Sequence, residues 1–246
     1  MKSVALPKFV VTYRPDDRSW ISAMAVPIFR DDFAELSPVE ALADPHGLDH
    51  RDFAVGGRGQ SYELRCQRQT GRSGNATASL AYQRVHGLMV EMEDPALAAL
   101  PVPALVDRGH RWVADVSYEQ SVCDNVTGRG WAQWQDTRGV FPSAGAMNTQ
   151  WPYAPEWQAG TRVDYIGDSG LRVGLEGVWR DDRFHDPGNS LPVAGAFVVN
   201  MRAQYQRNTR ENYYVDVQNL LGRDYENYAG YPESDLSVVG GFDYRF

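Results

Sequence analysis

The segment FVVNMRAQYQ at residues 197–206 places apolar and polar side chains at alternate positions. Successive side chains of a β-strand point to opposite faces, so this segment predicts a strand with one apolar and one polar face. The same period of two recurs at 171–179 and 236–246. It also recurs, less cleanly, at 9–13, 62–67, 76–83, 112–119 and 157–165. We therefore predict an all-β chain of about eleven antiparallel strands.

Short and long connections alternate between these strands. The short ones are turns rich in Gly, Asp, Asn and Ser, at 15–17, 70–74, 123–127, 167–170 and 208–211. The long ones carry most of the proline, at roughly 30–50, 89–109, 139–153, 185–195 and 226–235. A β-barrel of the outer membrane has short periplasmic turns, long outer loops and an apolar outer face. Strand alternation alone also fits a soluble β-sandwich, but the asymmetry of the connections favours the membrane barrel.

The composition excludes several other classes of protein. The chain has 246 residues, of which 43% are hydrophobic and 12% aromatic, which excludes a disordered chain. A formal net charge of −8 argues against binding to nucleic acid. Neither a G-x-S-x-G nor an H-E-x-x-H motif is present, so we predict that the chain is not an enzyme and needs no cofactor.

The strongest metal-like cluster is DPHGLDHRD at 44–52, in a predicted long loop. His46 and His50, with the neighbouring carboxylates, are weak candidates for ligands of a transition metal. Nothing in the pattern fixes the geometry of such ligands. We therefore predict a solvated acidic loop here and no metal site.

The C-terminal third resembles the barrel of TonB-dependent outer-membrane receptors. The segment NLLGRDYE at 219–226 resembles the family's N-L-F-D-x-x-Y motif, with Leu221 in place of Phe and Gly222 in place of Asp. The matching motif residues are Asn219, Leu220, Leu221 and Tyr225. Segments 152–160, 169–184 and 230–232 are similar to late strands and the last loop of that family. The terminal FDYRF is similar to its last strand, and Phe242, Tyr244 and Phe246 resemble the signal read by the barrel-assembly machinery.

The resemblance implies an antiparallel, membrane-type β-barrel in the outer membrane of a Gram-negative bacterium. Residues 1–246 would be a partial receptor barrel without signal peptide or plug, the C-terminal half of a barrel of about 22 strands. Its implied function is uptake of a scarce nutrient such as an iron chelate. The implied partners are outer-membrane lipid, the barrel-assembly machinery, an unidentified small ligand at the outer loops, and TonB only through a plug absent from this chain. Six polar residues are expected to face the lumen: Arg162, Arg172, Glu176, Arg202, Gln204 and Asp216.

A second resemblance concerns residues 7–45. Lys8 to Arg14, Asp17-Arg18 and Ser37 to Glu40 are similar to barrel segments that follow tetratricopeptide repeats in large bacterial proteins. This resemblance implies a barrel that acts in export or interaction. A soluble β-rich binding module is the third alternative, and extraction of membranes without detergent separates it from the other two.

Overall fold

The computed structural model describes residues 9–30, 57–71, 73–93, 101–228 and 230–245. Its regular structure is β-strand, apart from one 3-10 turn at Pro142–Ala144. The strands are β1 (Phe9–Asp16), β2 (Ser19–Arg30), β3 (Gly57–Thr70), β4 (Gly74–Glu93), β5 (Pro101–Cys123), β6 (Val126–Phe141), β7 (Ala146–Thr149), β8 (Trp157–Ile166), β9 (Leu171–Arg180), β10 (Arg183–Phe184), β11 (Pro192–Val193), β12 (Ala196–Gln206), β13 (Glu211–Gln218), β14 (Glu226–Tyr228), β15 (Tyr231–Pro232) and β16 (Ser237–Tyr244).

Eleven of these strands form one antiparallel sheet in chain order. The order is β1-β2-β3-β4-β5-β6-β8-β9-β12-β13-β16. The short strand β7 pairs with β6 at the end of the sheet where the long connections lie, which we call the long-connection end. Among the described residues, β1 and β16 are the edges and each pairs with one neighbour. The predicted all-β class and the predicted number of strands are confirmed. In the described part of the chain, no helix has both the length and the apolar character needed to cross a bilayer.

One face of the sheet is apolar and exposed. A row of directly opposed residues crosses its second half: Val163, Leu175, Met201, Val217 and Val238. Val163, Leu175 and Val238 are 47%, 45% and 60% exposed, whereas Val217 is only 8% exposed. Most of this row is therefore open within the described residues, so the apolar face meets the medium that surrounds the protein.

Aromatic and large apolar residues bound this face at both ends. On β8, β9 and β12 the bounding pairs are Trp157 and Tyr165, Leu171 and Trp179, and Phe197 and Tyr205. Each pair lies eight positions apart, about 26 Å along a strand. With a tilt of about 40° the band is about 20 Å tall, near the height of the apolar band of outer-membrane barrels. We name this surface the apolar band.

The predicted long connection at 89–109 is wrong in its bounds. Residues 89–93 belong to β4 and residues 101–109 to β5, and the two strands pair as far as Glu93 and Pro101. Backbone hydrogen bonds continue the pairing beyond the point where the apolar alternation ends, so the alternation does not mark the ends of these two strands. The predicted loops at 185–195 and 226–235 contain the short pairs β10–β11 and β14–β15.

The only buried apolar cluster of the described residues lies at the long-connection end, on the polar side of the sheet. It comprises Val85, Val106, Phe141, Trp151 and Ala154. The indole of Trp151 lies against Gly109 and Gly139, which oppose each other in register. A Cβ atom would stand 3.1 Å from Trp151 at Gly109 and 3.0 Å from it at Gly139, so glycine allows this close approach.

Candidate ligand site at the long connections

The six residues predicted to face the lumen share one face of the sheet, opposite the apolar band. Arg162 opposes Glu176, Arg202 opposes Asp216, and Arg172 opposes Gln204 in register. Directly opposed residues point to the same side. The structure thus brings the six together in one polar surface across β8, β9, β12 and β13. That this surface lines a lumen stays a prediction.

Ion pairs within this surface run along and across the strands. Arg162 Nε lies 2.8 Å from Asp164 Oδ2, and Arg202 Nε lies 3.4 Å from Asp216 Oδ1. Gln204 Nε2 donates to Asn212 Oδ1 at 2.8 Å. These side chains are partly exposed, so each pair contributes at most about 1 kcal/mol to stability. They provide a hydrated wall of mixed charge.

The chain between β7 and β8 folds back over the polar face of β5 and β6. Arg111 Nε donates to Gln135 Oε1 at 3.0 Å, and Gln135 Nε2 donates to the Pro155 carbonyl at 2.7 Å. The Trp151 N–H donates to Thr137 Oγ1 at 3.1 Å. Gln135 and Thr137 are buried, so these bonds satisfy groups that would otherwise be costly to desolvate.

A second polar network lies on the same face of the sheet, nearer the short turns. Gln158, which is buried, donates through Nε2 to Gln133 Oε1. Gln133 Nε2 in turn donates to Asp115 Oδ1 at 2.6 Å, and the Ser79 hydroxyl donates to Asp115 Oδ2 at 3.3 Å. This chain of bonds crosses from β8 to β4, so it joins four neighbouring strands on the polar face.

Three successive long connections bind one another. Gln150 N–H donates to Asn189 Oδ1 at 2.7 Å, and Asn189 Nδ2 returns a bond to the Gln150 carbonyl at 3.0 Å. Arg183 is buried, and its Nη2 donates to the carbonyls of Glu226 at 2.7 Å and Asn227 at 2.8 Å. The connections 142–156, 181–195 and 219–236 therefore form one surface, which we name the loop platform.

Asp186 closes the turn between β10 and β11. Its carboxylate accepts from the N–H groups of Ser190 and Leu191, and from the Ser190 hydroxyl. Partial burial raises the pKa of Asp186, but these hydrogen bonds lower it by more, so that pKa lies below its usual value. The charged form therefore favours the folded turn.

We expect Asp186→Asn to loosen this turn at neutral pH. A lowered folded-state pKa means that the carboxylate stabilises the turn above the unfolded-state pKa of about 3.9 and loses this effect as pH falls through the folded-state value. Solvent screens the group, so the effect stays below about 1 kcal/mol. Hydrogen exchange at the amides of Ser190 and Leu191 measures it. Exchange that is equal in the variant and the parent at pH 7 would contradict this assignment.

The motif residue Asn219 is buried and holds the last long connection. Its Nδ2 donates to the carbonyls of Arg223 at 2.8 Å and Ser234 at 3.1 Å, and its Oδ1 accepts from the Arg223 N–H at 3.0 Å. Leu220 N–H donates to the Val199 carbonyl at 2.7 Å, while the Leu220 and Leu221 side chains are exposed. The carbonyl of Tyr225 accepts from the Glu233 N–H at 2.9 Å. Burial, with the charge of Glu233, raises the pKa of Tyr225.

The other predicted residues are only partly within the described chain. Phe242 and Tyr244 lie on the apolar face, and the ring of Phe242 stacks on Tyr213 with centroids 6.3 Å apart. Phe246, His46 and His50 lie outside the described residues. Within the described ranges, no group of three or more side chains could hold a metal ion.

No family model and no curated protein matches the sequence. Solved structures match its fold. The ferric yersiniabactin uptake receptor FyuA from Yersinia pestis aligns with a TM-score of 0.67 at 16% identity, over 97% of this chain and 35% of that chain. The FrpB iron transporter from Neisseria meningitidis aligns with a TM-score of 0.68 at 14% identity, over 98% and 38%. The copper transporter OprC aligns with a TM-score of 0.68 at 14% identity, over 97% and 39%.

The fold is that of part of a TonB-dependent receptor barrel. The chain spans between a third and two fifths of the length of these structures. By their descriptions the three are an uptake receptor and two transporters.

Sequence analysis missed the loop platform. The contacts between its connections join residues 39 to 44 positions apart, such as Gln150 with Asn189 and Arg183 with Asn227. The alternation of apolar and polar residues is a local pattern, so it carries no information about such distant contacts. Two signals could have suggested it: an apolar and proline-rich run, WPYAP at 151–155, and the charged segment RDDRFHD at 180–186, which contains Arg183 and borders a predicted long loop.

Proposed function

We propose that the chain forms part of the wall and outer loops of an outer-membrane receptor that takes up a scarce nutrient such as an iron chelate. One observation carries this proposal: a single sheet has an exposed apolar band with bounding aromatics on one face and a charged, partly exposed surface on the other. Lipid on one side and an aqueous lumen on the other require this arrangement.

The contiguous apolar band argues against a soluble module. Soluble monomers rarely expose apolar patches larger than about 300–600 Å². The described sheet instead exposes large apolar residues on most of its strands, including Leu64, Leu80, Val116, Leu175 and Phe197. Association with a bilayer removes this area from water, at about 25 cal/mol per Å².

The loop platform supports a ligand site at the outer end. It lies on the polar side of the sheet, where an incoming solute would pass, and its connections are bound to one another. The structures named above carry an iron chelate, iron or copper by their descriptions, which supports a chelated or bare metal as cargo. In this proposal the domain is a partial barrel at 1–246. TonB acts through a plug outside this chain, and the barrel-assembly machinery reads Phe242, Tyr244 and Phe246.

The proposal is tested by fractionating a Gram-negative host that produces the protein. We expect the protein in the outer-membrane fraction, resistant to alkaline carbonate and released by detergent. Those membranes should bind a radiolabelled Fe(III)-catecholate or Fe(III)-hydroxamate chelate saturably. Recovery of the folded protein in the soluble fraction would refute the membrane assignment. Correct integration without binding of either chelate would refute the iron-chelate assignment.

A matched pair of variants tests the role of the loop platform in that binding. Arg183→Leu removes the buried guanidinium that joins two connections, whereas Arg207→Leu removes an exposed arginine near Glu211 at the opposite end of the sheet. We expect chelate binding to weaken at least tenfold in the first variant and to stay unchanged in the second. Equal chelate binding by the two variants would show that the loop platform is not part of the chelate-binding site.

A further inference from the structure

A row of two arginines and one histidine lies on the outer face of β4, β5 and β6, just beyond the apolar band. Arg84, His110 and Arg138 oppose one another in register. The next row towards the short turns holds Tyr82 and Trp112, whose rings lie 4.6 Å apart between centroids. Two residues along a strand span about 7 Å. The positive row therefore lies about 7 Å beyond the aromatic row, on the same face.

These side chains line one recess, with Arg108 one row further out. The recess has a volume of about 360 Å³, and Arg84, Arg108, His110, Arg138, Tyr82 and Asn148 contribute to its lining. Arg84, Arg108 and Arg138 are exposed. We name this feature the cationic recess. Apart from Asn148, which also belongs to the connection 142–156, the lining residues named here lie on strands outside the loop platform.

The charge of the recess is positive in a chain of net charge −8. Arg108 Nε lies 3.3 Å from Asp107, and Arg138 Nε lies 2.9 Å from Asp136. Both ion pairs are exposed and therefore weak. Within the described chain, Arg84 has no carboxylate partner. A multiply charged anion can therefore recruit up to three guanidinium groups here.

On β8, β9 and β12 the outer face carries no arginine or lysine at this level. At the same end of β8, β9 and β12 the band finishes at Trp157, Trp179 and Phe197, and the residues two positions further out are Pro155, Asp181 and Gly195. A general attraction to a charged surface would distribute arginine around the sheet. A cluster on three adjacent strands indicates a discrete site.

We propose that the cationic recess binds the phosphate groups of an anionic lipid in the outer leaflet. This inference rests on the membrane location proposed above. Acyl chains would cover the apolar band, the aromatic row would lie at the interface, and the phosphates would lie at the height of the arginines. A guanidinium group donates two parallel hydrogen bonds to a phosphate group. The site would therefore select phosphate by its geometry as well as by its charge.

The test measures lipid binding by the purified protein in non-ionic detergent micelles. The probe is a diphosphorylated glycolipid, lipid A, compared with its dephosphorylated form by native mass spectrometry. We expect the double variant Arg84→Gln, Arg138→Gln to bind the phosphorylated lipid at least tenfold more weakly than the parent. Parent protein should bind the dephosphorylated lipid as weakly as that variant binds lipid A.

The matched control is Arg207→Gln, Arg210→Gln, which removes the same charge at the short-turn end and should leave binding unchanged. An equal loss in both double variants would overturn the site and leave only a general charge effect. If inorganic phosphate displaces lipid A at an equal concentration of phosphate groups, the site binds a free anion and the assignment to a lipid is wrong. Protein that enters micelles but shows no phosphate preference refutes the recess alone, whereas protein that does not enter micelles refutes the membrane proposal.

Discussion

Substitution of Asn219 by alanine is expected to destabilise the last long connection by about 3 kcal/mol. Asn219 is 2% exposed, and its side chain makes three hydrogen bonds, to the Arg223 N–H and to the carbonyls of Arg223 and Ser234. Loss of each bond costs about 0.5–1.5 kcal/mol, and because water reaches the exposed Arg223 and Ser234 the total is about 2 kcal/mol. Asn219 also has a φ of +52°, where alanine costs about 1 kcal/mol more. Equilibrium unfolding in detergent and the rate of tryptic cleavage after Arg223 measure the effect.

Two further variants separate the hydrogen bonds from the backbone strain. Asn148 has a φ of +59°, is exposed and has no side-chain hydrogen bond within the described residues, so Asn148→Ala should cost only the strain. Asn219→Asp keeps the shape and tolerates this φ but replaces the Nδ2 donor, so it should cost nearly as much as Asn219→Ala. If the alanine variants at 219 and 148 lose equal stability, the hydrogen-bonded role of Asn219 is wrong.

The sequence predicts the strands well because side-chain period and face are local properties. In 197–206 the alternation identified β12, whose Arg202 and Gln204 share the polar face as expected. The turn residues at 167–170 and 208–211 likewise mark real turns, since Gly, Asp and Asn adopt turn conformations readily.

Contacts between connections could not be predicted in the same way. Trp151 is part of a predicted loop, yet it lies on Gly109 and Gly139 in the buried cluster. Nothing local in the sequence shows that two glycines on different strands oppose each other, because register is a property of the whole sheet. The motif residue Asn219 is a related case, since resemblance identified it and only the structure gave its hydrogen bonds. The six polar residues were grouped on one face from the alternation, whereas their role in a lumen is still a prediction.

Val238→Arg is expected to destabilise the folded protein in a bilayer by about 2–4 kcal/mol, the cost of arginine at the midplane of a barrel's lipid face. Val238 lies in the row with Leu175 and Met201, midway between the ends of the apolar band, and is 60% exposed. If lipid covers that face, the guanidinium must enter hydrocarbon or distort the bilayer. Reversible unfolding in lipid vesicles with a chemical denaturant measures the change.

The chain offers a control one residue away. Val239 is 55% exposed, lies on the same strand and opposes Asp216 on the polar face, so Val239→Arg introduces the same side chain into the charged surface. There the new guanidinium meets water and a carboxylate, and we expect a change below about 0.5 kcal/mol. The two valines are similarly exposed. A difference in stability between their arginine variants therefore shows that the two faces of the sheet meet different media. If both substitutions are tolerated equally, water bathes both faces, the apolar band does not meet lipid, and the receptor-wall proposal fails together with the lipid site that depends on it.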